Sequence, residues 1–132
     1  MTGDKTPEAS AKLSALSDLC TPWSIHVVAT LRIADHIATG ITDIKTLAEE
    51  AGCDPDSLLR VLRHLVSKGI FQEPVPTRFA LNDTARELLD PAQQLGLDLG
   101  GIGGRMAYAW GSLLSAVSTG TSAYHEVFGL PF

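Results

Sequence analysis

Residues 54–71, DPDSLLRVLRHLVSKGIF, constrain the fold more than any other stretch, because they spell out both ends of a helix. Asp54 stands where an N-cap accepts from the first free N–H groups, and Pro55 where a first helical residue needs no donor. Gly69 stands where the backbone turns left-handed to leave the helix. At about 100° per residue, Leu58, Leu59, Val61, Leu62, Leu65 and Val66 fill one arc, while Arg60, Arg63, His64, Ser67 and Lys68 fill the rest. One face must be core and the other is basic. Just upstream, IKTLAEEAG reads as a short helix capped by Asp43 and closed by Gly52, with Ile44, Leu47, Ala48 and Ala51 inward. Downstream, residues 71–73 and 78–81 read as two short strands around Pro74, Val75 and Pro76, since proline suits edges and turns. The predicted fold class is mainly α: a winged-helix-like domain with a small β-hairpin wing.

The flanks carry more apolar surface than this unit needs. Residues 1–9 are polar and are expected to form a disordered leader, and Leu13, Leu16 and Leu19 then mark a short amphipathic helix from Ser10. Thr21 and Pro22 read as the cap and first turn of a helix over 22–37. Its apolar residues, including Trp23, Ile25, Val27, Val28, Leu31, Ile33 and Ile37, point in nearly every direction. A chain of 132 residues has little mass with which to surround a helix, so a second subunit or domain is expected against it. Beyond the wing, Asn82 caps a helix with Ala85, Leu88 and Leu89 inward, and Asp90 with Pro91 stops it. Residues 92–99 are compatible with helix, GGIGG at 100–104 reads as a loosened middle, and 105–118 reads as one amphipathic helix ended by Gly120. On that helix Met106, Trp110, Leu113, Leu114 and Val117 oppose Tyr108, Gly111, Ser112 and Ser115. The last residues, TSAYHEVFGLPF, stay apolar to the end, as expected of a chain that continues into more protein.

Several chemistries compete for this frame. A winged-helix DNA-binding regulator is the first alternative, but the N-terminal turn that would meet the major groove is Asp54, Pro55, Asp56, preceded by Glu49 and Glu50. The formal charge of −5 also repels phosphate. LGLDLGGIGG superficially resembles a nucleotide-binding glycine loop but lacks the Val- or Ile-rich strand before it and the acid on a later strand. His26, His36, His64 and His125 include no i, i+4 pair, so no metal site is expected. Cys20 and Cys53 lack CxxC spacing and are read as small buried hydrophobes in a reducing, cytoplasmic setting. No GxSxG elbow supports a nucleophile, and no apolar run approaches the roughly 20 residues of a membrane span. The aromatic wall of Met106, Tyr108, Trp110 and Leu114, with Tyr124 and Phe128, reads either as ordinary packing or as one side of a cavity for a flat hydrophobic ligand. A stand-alone domain that binds an aromatic ligand or pairs with a separate chain is therefore a third reading.

The strings DLCTPWSIHVVATLRIADHIATG, TLAEEAGCDPDSLLRVLRHLVSKGIF, DPAQQ and VSTGTSAYHEVFGLPF together resemble one known family. It is the N-terminal dimerisation domain of class I S-adenosylmethionine-dependent small-molecule O-methyltransferases. The nearest subgroup comprises the bacterial enzymes that tailor anthracycline-type aromatic polyketides, with their methyltransferase-like hydroxylase relatives. The resemblance runs from about residue 12 to the end. It implies a homodimer built by the N-terminal helices, with Leu13, Leu16, Trp23, Val27 and Leu31 at the interface, and no DNA contact. It also implies an organisation of leader 1–9, winged-helix dimerisation domain 10–90, and helical segment 91–132 leading to a catalytic domain. Met106, Tyr108, Trp110 and Leu114 would then line the cavity for an aromatic small-molecule substrate. S-adenosylmethionine would be the cofactor of the full-length family enzyme and would not be held by these residues alone, so this chain alone is expected to transfer no methyl group. Two departures stand out: a tryptophan expected a few residues after PAQQ is absent from Leu95, Gly96, Leu97, and GGIGG replaces a less glycine-rich segment.

Overall fold

The computed structural model describes residues 7–120, with side chains from Lys12 onward. Among them the helices are α1 (Pro7–Leu16), α2 (Cys20–Thr30), α3 (Ile33–Ala38), α4 (Ile44–Ala51), α5 (Pro55–Ser67), α6 (Asp83–Arg86), α7 (Pro91–Leu97), α8 (Ile102–Trp110) and α9 (Leu113–Thr119). Strands β1 (Gln72–Val75) and β2 (Arg78–Ala80) form one antiparallel hairpin after α5, and a 3-10 turn, Glu87–Leu89, follows α6. The mainly α, winged-helix-like fold with a small wing is what the sequence predicts. Expectations about Tyr124, His125, Phe128 and the apolar tail lie outside the described residues, as do those about residues 1–6.

The capping grammar of the central unit is observed. The Asp43 and Asp54 carboxylates accept from the Thr46 and Ser57 N–H groups at 3.0 and 2.9 Å, Pro55 opens α5, and Gly52 and Gly69 take positive φ. Leu58, Leu62 and Leu65 of α5 are buried with Val28, Ala29, Ile33, Leu47, Phe71, Phe79 and Ala85 in a single core. The wing is pinned to the body by residues just before α4. Ile44 N–H donates to the Thr77 carbonyl at 3.0 Å and Phe79 N–H to the Thr42 carbonyl at 2.9 Å, which adds a short third rung.

Four local expectations are corrected. The helix expected over 22–37 is two helices: it begins at Cys20, capped by the Asp18 carboxylate instead of Thr21, and it breaks at Leu31–Arg32, where Arg32 adopts φ 57°. Arg32 is held there by its own guanidinium, which donates to the Ala29 carbonyl at 2.7 Å and to Asp98 at 3.1 Å. Pro74 lies within β1 instead of the turn, which is made by Pro76 and Thr77 (φ 66°), as a type II turn requires of its third residue. The helix expected over 105–118 also divides, at Gly111–Ser112, and Trp110, Leu113, Leu114 and Val117 of its stripe are open to solvent in this subunit. Finally, Cys20 is exposed and Cys53 only half-buried, so neither is a fully buried hydrophobe in this subunit.

Candidate functional site

The surface that a winged helix would turn towards DNA opens here on carboxylates. The N-terminal turn of α5 presents Asp54 and Asp56, and hydrogen bonds from Ser57 hold the Asp54 carboxyl below the usual range, so it stays charged. Behind it, Arg63 is taken by the wing: its Nε and Nη2 donate to the two Glu73 oxygens at 3.1 and 2.9 Å, and Glu73 also accepts from Thr77 N–H at 2.8 Å. That fork pulls the Glu73 carboxyl down and the Arg63 guanidinium up. A bidentate pair of this kind takes up the Nε–Nη2 edge of the guanidinium and offsets its charge. Burial pushes the Cys53 thiol up, which removes it as a thiolate nucleophile. Among the described residues no group of His, Cys, Asp and Glu could hold a metal ion, and no helix is long and apolar enough to cross a membrane.

What the fold leaves uncovered is apolar. Leu13 and Leu16 on α1 are 71% and 75% exposed, and Leu19 beyond it is equally open. The connection after α1 is tied down at Asp18, which accepts from Thr21 Oγ1 of α2, and that hydroxyl meets His64 Nε2 of α5 at 2.7 Å. On α2, Ser24, Val28 and Ala29 are buried, whereas Trp23, Val27 and the C-cap residue Leu31 are half-buried. Val27 and Leu31 edge a shallow hollow of about 100 Å³ completed by Cys53, Leu58 and Val61. An open apolar face on α1 and a half-covered one on α2 are therefore present in the same subunit, on the residues expected at the interface.

The four residues expected to line a cavity are not brought to one surface. Tyr108 is half exposed and lies against α2, its ring 5.4 Å from that of Trp23, which in turn lies 5.7 Å from the His26 ring. Trp110, two residues on and therefore about 200° around the helix, is 62% exposed, and Leu114 on α9 is 80% exposed. Met106 is half-buried. His26 is the residue that sequence reasoning passed over: its Nδ1 lies 2.9 Å from the Leu97 carbonyl. No i, i+4 pattern marked it, because its partner is a backbone oxygen 71 residues away.

The sequence profile of the family described as "O-methyltransferase dimerisation domain" matches residues 13–91. The chain is 37% identical over 123 residues to the 2,7-dihydroxy-5-methyl-1-naphthoate 7-O-methyltransferase of Streptomyces carzinostaticus, covering 91% of this chain and 37% of that enzyme. It is 35% identical over 125 residues to the aclacinomycin 10-hydroxylase RdmB of Streptomyces purpurascens, covering 91% and 33%. Among solved structures, NcsB1 of neocarzinostatin biosynthesis, bound to S-adenosyl-L-homocysteine and 1,4-dihydroxy-2-naphthoic acid, superposes with TM-score 0.84 at 37% identity, over 89% of this chain and 37% of that one. TnmH superposes with TM-score 0.87 at 34% identity, over 99% and 39%. The chain thus spans about a third of the length of these curated relatives. On this match and the fold that accompanies it, the chain belongs to the O-methyltransferase dimerisation-domain family.

Proposed function

We propose that this chain is the dimerisation and substrate-lid part of an S-adenosylmethionine-dependent enzyme that modifies a hydroxylated aromatic of polyketide type in the cytoplasm. The observation that carries the reading is the pairing of an outward apolar α1 with a half-covered α2, in a subunit whose central helix opens on Asp54 and Asp56 and pairs its Arg63 with Glu73. Two copies that exchange these faces bury Leu13, Leu16, Trp23, Val27 and Leu31. Burial is worth about 25 cal/mol per Å² of apolar surface, so several leucines outweigh the entropy of ordering α1. The winged helix serves as the rigid block on which α1 and α2 are mounted. The segment 91–132 would lead from that block into the catalytic half.

In the full-length enzyme, methyl transfer or a hydroxylation-type reaction would occur on that further domain, where the cofactor sits. The residues described here orient a partner subunit and cover an aromatic acceptor, and they hold no S-adenosylmethionine. Support for the acceptor class comes from the dihydroxynaphthoate and aclacinomycin named for the relatives. A two-part titration tests this. The chain should weigh as a dimer by light scattering and the Leu16→Asp variant as a monomer, while calorimetry with S-adenosylmethionine should give no heat. A monomeric wild type, or cofactor binding at unit stoichiometry, would overturn the reading.

A further inference from the structure

Five side chains make a small subunit contact. A stable interface takes about 800 Å² and roughly 20–30 residues from each partner. Trp23, Val27 and Leu31 are already half covered within their own subunit, and only Leu13 and Leu16 are mostly bare. More of the subunit must therefore meet a second copy. On the α5 side, the apolar face of α2 runs into the hollow edged by Cys53 and Val61. On its other side a ring contact carries it onto α8, where Tyr108, 52% exposed, lies 5.4 Å from Trp23 at an angle of 50°. Trp110, about 200° further round α8, is turned away from that join.

Backbone, and not the ring contact alone, puts α8 there. Three residues of α2 and its exit hold three consecutive residues at the corner between α7 and α8. His26 Nδ1 meets the Leu97 carbonyl at 2.9 Å, Arg32 Nη2 donates to Asp98 Oδ2 at 3.1 Å, and Leu99 N–H donates to Thr30 Oγ1 at 2.8 Å. The corner is also closed from within. A Cβ on Gly103 would lie 1.9 Å from the Gly96 carbonyl oxygen, and one on Gly104 would lie 2.0 Å from that of Leu99, so only glycine permits this approach. The joined face of α2 and α8 is thus set within one subunit, and little ordering has to be offset when a partner arrives.

We propose that the dimer interface runs from α2 onto α8, and that α1 of the second copy lies along Trp23, Val27, Leu31 and Tyr108. The proposal rests on the dimerisation reading above, and it moves Tyr108 from the substrate cavity to the subunit contact. α1 fits the place in length: its ten residues span about 15 Å, enough to cover the roughly 12 Å of chain between Trp23 and Leu31. It fits in chemistry too, since Leu13 and Leu16 lie one turn apart and are 71% and 75% exposed in their own subunit. A two-fold axis makes every such contact twice, so one tyrosine adds two rings to the assembly.

An isotope-filtered nuclear Overhauser experiment on mixed dimers, one chain labelled and the other not, tests this in the Tyr124→Phe background, where Tyr108 is the one remaining tyrosine. Its ring should show cross-subunit contacts to the methyl groups of Leu13 and Leu16. Sedimentation equilibrium gives the energetic arm. Tyr108→Ala should weaken the dimer about tenfold or more, while Val75→Ala, at a comparably exposed apolar residue on the wing, should leave its dissociation constant unchanged. A wild-type dimer whose Tyr108 ring makes no cross-subunit contact, or a Tyr108→Ala chain that pairs as tightly as wild type, would overturn the continuation onto α8 and leave the α1–α2 dimer standing. A monomeric wild type would overturn both.

Discussion

Asn82 organises more of the wing than its size suggests. Its Oδ1 accepts from Ala85 N–H at 2.9 Å, capping α6, and from Phe71 N–H at 3.2 Å, while its Nδ2 donates to the Gly69 carbonyl at 2.8 Å. Those bonds hold Phe71 at φ 69°, a conformation a bulky residue rarely adopts, and allow its ring to be buried in the core. Asn82→Ala should cost about 2 kcal/mol in denaturant unfolding, whereas Asn82→Asp, which keeps the cap but cannot donate to Gly69, should lose less. Asp43, Asp54 and Glu73 contribute a pH dependence with a definite sign. Hydrogen bonds lower their folded-state values, so their contribution is fully present above the unfolded values of 3.8 and 4.5 and is lost as pH falls through the folded ones. Thermal unfolding between neutrality and pH 3 should therefore show a falling melting temperature only at the acid end. Asp54→Asn, an equally good cap without a charge, should flatten that fall.

At the scale of elements, legibility followed local grammar. α4, α5 and α6 carry their caps and stops in adjacent residues, and each was readable from Asp43, Gly52, Asp54, Gly69 and Asn82. The break between α2 and α3 carries no glycine or proline. What accompanies it is the bond from Arg32 to Asp98, 66 residues later, and no short window along the chain contains both. The glycines of GGIGG were misleading for a related reason. Counted as helix weakeners they predict a loose segment, but Gly103 and Gly104 are buried where backbone meets backbone. Gly103→Ala or Gly104→Ala should destabilise the α7–α8 corner by about 2 kcal/mol or more, because the clash is with carbonyl oxygen and not with a flexible side chain. Such a variant should also pull Tyr108 from Trp23, and the tryptophan emission reports it. The candidate site was half readable: Trp23 and Tyr108 stood out as aromatics, but only the fold brings their rings within 5.4 Å and sets His26 on the Leu97 carbonyl.

At the scale of the molecule, the distribution of charge and apolar surface separates the two uses of a winged helix. With Arg63 bound to Glu73 and carboxylates at the start of α5, the chain should show no salt-dependent affinity for duplex DNA. Glu73→Ala, which frees the guanidinium, should add little, since Asp54 and Asp56 stay in place. The apolar surface of α1 and α2 instead asks for a second copy. Sedimentation equilibrium of the 132-residue chain at micromolar concentration tests that claim most directly. A mass of twice the 14.0 kDa chain, falling to the single value in Leu16→Asp, is the predicted result, and a wild-type chain that stays at 14.0 kDa across the concentration range would contradict it.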